Sequence, residues 1–140
     1  MHDDVLINKA ATIEKCVARA LEEYNFEPTT FATNFTRQDA AILNIQRACE
    51  AALDMGHHLI RREKLGVPQS ARDVFTLLAQ AGWVSEELSD LLKRMVGFRN
   101  IAVHDYQTLQ LPITVSIITK HLTDFTDFSQ AILQNNSQHM

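Results

Sequence analysis

Apolar residues recur at steps of three and four along most of the chain. Leu6, Ala10, Ile13, Val17, Ala20 and Tyr24 make one stripe and predict a helix from about Asp4 to Tyr24, ended before Pro28. A connector from Asn25 to Asn34 follows, with Phe26, Phe31 and Phe35 spaced along it and just beyond it as staples to the core; stacking on nucleic-acid bases is the other use of such aromatics. Thr36 is the expected cap of a second helix reaching about Lys64, striped by Ile42, Ile45, Cys49, Ala52, Gly56 and Leu59, with small residues for close helix approach. Gly66 and Pro68 then interrupt. Ser70 and Asp73 open a short third helix that Gly82 stops, and Ser85 caps a fourth striped by Leu88, Leu91, Met95, Phe98 and Ala102. A long final helix from Pro112 carries Ile118, His121, Phe125, Phe128 and Ile132, His121 being read as a core or interface histidine. Long helices on short loops predict an all-α, antiparallel up-and-down bundle of four long helices and a short one. The domain is expected over 1–134, with 135–140 a frayed polar tail.

Beside the stripe of the fourth helix runs a second row, Leu92, Val96, Arg99, Val103 and Tyr106, about 60° round the helix. A wider core seam would use it; so would a subunit interface, where arginine and tyrosine are enriched. The row therefore predicts a homodimer.

Composition sharpens this picture. Only seven of 140 residues are Gly or Pro, under half the usual share of about 12%, which starves any sandwich or barrel of turns. No stretch approaches the roughly 18 apolar residues of a bilayer span, and the first residues lack the basic and apolar parts of a signal peptide. Cys16 and Cys49 stand alone, without a CxxC or a nearby histidine, and read as core residues in a reducing cytoplasm. The net charge of −4 excludes bulk electrostatic attraction to nucleic acid, so any such site must be local. The basic surplus lies mid-chain, with six basic against five acidic residues over 28–83. There, Arg47, His57, His58, Arg61 and Arg62 offer a patch for RNA or a partner, or else a solvated face. Adjacent histidines point about 100° apart and do not share a metal.

The candidate chemistry begins at Arg99. In Arg99-Asn100-Ile101-Ala102-Val103-His104-Asp105-Tyr106, arginine and histidine are five positions apart. That is about 140° of rotation and 7.5 Å of rise in one helix, so the two side chains cannot converge on one phosphate unless the helix ends there or a symmetry axis intervenes. Asp105 and Thr108 before Pro112 mark such an end. A histidine titrating near pH 6.5 can take a proton from a ribose 2′-hydroxyl or return one to a leaving 5′-oxygen. A guanidinium can grip two phosphate oxygens as phosphorus becomes five-coordinate. No carboxylate cluster accompanies the motif, so no metal or other cofactor is expected. On spacing alone, Arg99 also reads as a salt-bridge residue.

The octapeptide at the end of the fourth helix resembles the Arg-x4-6-His motif of the HEPN superfamily, and more narrowly the HepT-like toxins, whose signature adds a tyrosine two residues after the histidine. The run from Gln38 to Glu50 resembles that family's second helix, and Leu88 to Phe98 resembles its approach to the motif, so the likeness covers roughly 1–134. The resemblance implies a HEPN-like helical fold and a homodimeric, metal-independent endoribonuclease toxin of a type VII pair, cutting RNA, with tRNA among the candidates. By position it implies Arg99 and His104 as the catalytic pair and Asn100 as the flanking polar residue. It implies Tyr106 as acceptor of AMP from an MntA-type minimal nucleotidyltransferase antitoxin. The competing reading is a non-catalytic helical subunit that docks a nucleotidyltransferase or binds nucleotides.

Overall fold

Asp3 sets the start of the first helix, its carboxylate accepting from the backbone N–H groups of Val5 and Leu6. In the computed structural model, which describes residues 2–138, this helix is α1 (Asp4–Asn25). The same carboxylate bonds His58 at 2.8 Å and accepts from Arg62 at 2.9 Å. Burial alone would raise the Asp3 carboxyl; the hydrogen bonds from His58, the Leu6 N–H and Arg62 outweigh it and hold the group down at about 2. One acid thus caps α1 and ties it to the far end of α2 (Phe35–Glu63).

The connector is a 3-10 helix, Pro28–Thr33. Phe31 alone among its aromatics is a core staple, edge-on to Tyr24 at 5.1 Å. Phe26 and Phe35 are exposed, the former under the Arg37 guanidinium at 3.6 Å. The cap of α2 is Asn34, not the expected Thr36: its side chain accepts from the Arg37 N–H, and helical geometry begins at Phe35. Asparagine reaches the first free N–H groups better than threonine does. At its other end α2 stops on Lys64, in the left-handed region at φ 55°.

The short helix α3 (Ala71–Gln80) starts as the sequence reading expects. Ser70 accepts from the Asp73 N–H at 3.1 Å and Asp73 accepts in return from the Gln69 N–H at 2.9 Å. It ends before Gly82, at φ +80°. It lies against α2 at Gly56, where an added Cβ would stand 2.5 Å from a Val74 methyl; the small residues of the α2 stripe do permit close approach. Ser85 caps α4 (Glu86–His104), which packs on α3, α2 and the last helix.

The expected single final helix is two. α5 (Leu111–Lys120) ends at His121 and α6 (Leu122–Gln138) begins directly after it. Six β-branched residues lie between Ile113 and Thr119, and each weakens helical continuity. The break lets Ile117 and Ile118 on one side, and Leu122 and Phe125 on the other, all reach the core. His121 is half-buried at this joint, 3.0 Å from the Asp124 carboxylate. The frayed tail also needs correcting: the helix continues through 135–138, Asn136 is buried, and Asn135 donates to the Trp83 carbonyl at 2.8 Å. Residues 139 and 140 lie outside the described residues. Both cysteines are buried and free, and the Cys49 thiol is pushed up to about 12 by burial.

The fold is all-α. α1, α2, α4 and α6 are the long members of the bundle, and no helix among the described residues is long and apolar enough to cross a membrane.

Candidate active site

The site is built on α4 and on the face of α2 opposite it. α4 is unbroken to His104, where the Asp105 N–H still reaches the Ile101 carbonyl at 2.8 Å. Asp105 then organises the exit: its carbonyl accepts from the Thr108 N–H and hydroxyl, and its carboxylate accepts from the Gln107 amide. These bonds close a 3-10 turn, Tyr106–Thr108. The helix end expected beside His104 is there.

Because Arg99 and His104 share one regular helix, their side chains leave it about 140° apart. Arg99 enters a cleft of about 390 Å³ bordered by Glu50, Asp54 and His57 of α2 and by Gln69 and Ser70 before α3. Its Nε is buried and has no hydrogen-bond partner among the described residues. Neither acid of the cleft pairs with it: Asp54 bonds Lys9 at 3.1 Å, and Glu50 accepts from Gln46 at 3.2 Å. Asn100 is half-buried next along α4, and His104 is exposed at its tip.

Tyr106 lies in the 3-10 turn and leans back to α2. Its hydroxyl donates to the Asp39 carboxylate, 67 residues away in sequence. Tyr106 stays 41% exposed, over a hollow of about 190 Å³ lined by Phe35, Gln38, Ile42 and Leu109 among others. Partial burial, then the hydrogen bond and negative charge of Asp39, push the phenol well above its ordinary range. The sequence reading missed Asp39, and likewise Glu50 and Asp54 in the arginine cleft, since no spacing rule links residues so far apart.

The second row of α4 divides. Leu92 and Val96 are buried in this chain's own core, whereas Val103 and Tyr106 are exposed and Arg99 is half-buried. The physical reason is that α4 is covered on two sides, by α2 and α3 and by α6, and so needs two apolar rows. The exposed apolar surface of α4 is Ile101 and Val103 near its end. Ile101 borders a groove of about 540 Å³ between α4 and α5 that includes Leu91, Phe98, Pro112 and Ile113.

The basic patch divides as well. His58 and Arg62 are committed to Asp3, His57 opens into the arginine cleft, and Arg47 and Arg61 are exposed. Among the described residues no three His, Cys, Asp or Glu side chains are grouped so as to hold a metal ion.

Comparison with known proteins bears on what this geometry is for. An mRNA nuclease HepT of Shewanella oneidensis is 51% identical over 130 residues, 93% of this chain and 97% of its own length. A solved structure of a tri-AMPylated HEPN toxin from the same organism, in complex with an MNT antitoxin, is 50% identical with a TM-score of 0.90, covering 95% of this chain and 99% of that one. A crystal structure of a toxin-antitoxin with AMP-PNP is similar at 49% identity and a TM-score of 0.90, over 94% and 99%. The family model described as Ribonuclease HepT-like matches residues 13–132, a span holding Arg99, His104, Tyr106 and most of the bundle that carries them, and the chain belongs to that family.

Proposed function

We propose that this chain is the toxin of a type VII toxin-antitoxin pair: a homodimeric, metal-independent endoribonuclease of the cytoplasm, silenced when an MntA-type nucleotidyltransferase transfers AMP to Tyr106. The observation that carries the reading is the placement of Arg99, its buried Nε unpartnered, on the same helix as an exposed His104. An arginine placed there for an ion pair would have met Glu50 or Asp54, both of which bond elsewhere.

In this reading His104 moves the proton, from the ribose 2′-hydroxyl or to the leaving 5′-oxygen, and Arg99 stabilises the charge that grows on the phosphoryl oxygens. Asn100 supports the pair. Their divergence on one helix is met by a second copy, which brings another Arg99 and His104 to one cleft across a two-fold axis. Exposed Ile101 and Val103 and the neighbouring groove supply apolar area for that pairing. RNA phosphates follow Arg47, His57 and Arg61. The likeness to an mRNA nuclease makes messenger RNA the first substrate to try, ahead of tRNA.

Purified protein incubated with total RNA in EDTA is expected to leave fragments ending in a 2′,3′-cyclic phosphate. RNA that stays intact in EDTA but is cut when magnesium is restored would overturn metal independence. RNA intact in both conditions would favour the docking subunit instead.

A further inference from the structure

The Tyr106 hydroxyl does not point freely into solvent. It donates to Asp39, a carboxylate that reaches over from the first turns of α2. Among the described residues Asp39 is, besides Tyr106, the one titratable group lining the hollow: Phe35, Gln38 and Ile42 come from α2, Gln107 and Leu109 from the exit turn and the residue after it, and Leu111 and Thr114 from α5. Both groups are exposed enough to meet a bulky reagent.

We propose that Asp39 is the general base for modification of Tyr106, taking the phenolic proton as the tyrosine oxygen is adenylylated by a nucleoside triphosphate. This inference rests on Tyr106 being the AMP acceptor. In the step, Tyr106 Oη attacks the α-phosphorus and the Oη–P bond forms. The bond from that phosphorus to the β-phosphate oxygen breaks, pyrophosphate leaves, and the proton passes to the Asp39 carboxylate. A base is needed because the phenol is held protonated: burial and the adjacent carboxylate raise it, so the free phenoxide is scarce at neutral pH. Asp39 already accepts the hydrogen bond along which the proton would travel. Asp39 is also separate from the cleft that Arg99 enters, since Arg99 faces residues 50–57 of α2, more than two helical turns further along.

The test uses the full chain with its nucleotidyltransferase and radiolabelled ATP. Single-turnover transfer is followed in wild type, Asp39→Asn, Asp39→Ala and Tyr106→Phe, with the labelled residue identified by mass spectrometry. Asp39→Asn keeps the size and a hydrogen-bond acceptor but cannot take a proton. It should slow transfer at saturating ATP by about 10²-fold, the lower end of what a positioned base contributes, with the half-saturating ATP concentration little changed. Its residual rate should climb roughly tenfold per pH unit as hydroxide takes over the proton removal, a rise the wild type does not share. Asp39→Ala should behave in the same way. Transfer in Asp39→Asn at the wild-type rate, or faster because the carboxylate merely restrains the hydroxyl, would overturn the role of Asp39 while leaving the modification standing. Absence of label on Tyr106 in the wild-type complex would remove the modification itself, and this inference with it.

Discussion

Replacing His104 with alanine lowers the rate of RNA cleavage by about 10²–10⁴-fold, the usual contribution of a general acid or base. Arg99→Ala costs about 10²–10³-fold, as loss of one charge-stabilising donor set does. Neither change should unfold the bundle. His104 is exposed at the end of α4, and the buried Nε of Arg99 forms no hydrogen bond whose loss would be felt. Initial rates on a defined RNA, with thermal unfolding as the control, separate chemistry from folding. If both variants cleave at the wild-type rate, the pair is not catalytic and the docking reading takes its place.

Tyr106→Phe abolishes neutralisation by covalent modification. The ring and its contacts with the α2 face remain, while the oxygen that would accept AMP is gone. In the proposed modification the added nucleotide would place a phosphodiester charge and a base beside His104, repelling an RNA phosphate. The readout is the ratio of cleavage with and without the nucleotidyltransferase and ATP, so any change in the variant's own rate cancels. That ratio should fall steeply for the wild type and stay near one for Tyr106→Phe. A Tyr106→Phe protein silenced as well as the wild type would mean that the partner inhibits by covering the site.

Much of this architecture is legible along the sequence because it is written in local chemistry. The 3-4 spacing of α1, α2 and α4, the Ser70 and Ser85 caps and the stop at Gly82 each involve residues within a few positions of one another. The break at His121 is less legible. The apolar stripe runs through it, and only the need of both flanking segments to reach one core decides for two helices. The second row of α4 is legible only in part for a related reason: periodicity reveals that a face is apolar but not how much of it the chain's own helices cover, which here is Leu92 and Val96. The site divides in the same way. Arg99, His104 and Tyr106 lie within one motif and are found by spacing and resemblance. The Asp39 partner of Tyr106 and the acids beside Arg99 are set by the packing of α2 on the motif, which no local pattern encodes.

In the proposed dimer a cleavage site is completed by two copies of the chain, because Arg99 and His104 diverge on a single helix. The most direct test is the activity of mixed pairs made by co-expressing the Arg99→Ala and His104→Ala chains, each inactive alone. With random pairing half of the dimers are mixed, and each of these keeps one intact arginine from one copy and one intact histidine from the other. The two-fold makes two such Arg99–His104 pairings per dimer, of which a mixed dimer keeps one, so half of the dimers with half of their pairings predict recovery to about a quarter of wild-type cleavage. Mixed dimers that form, as measured by sedimentation and by tag-selective purification, yet stay as inactive as either parent would contradict it.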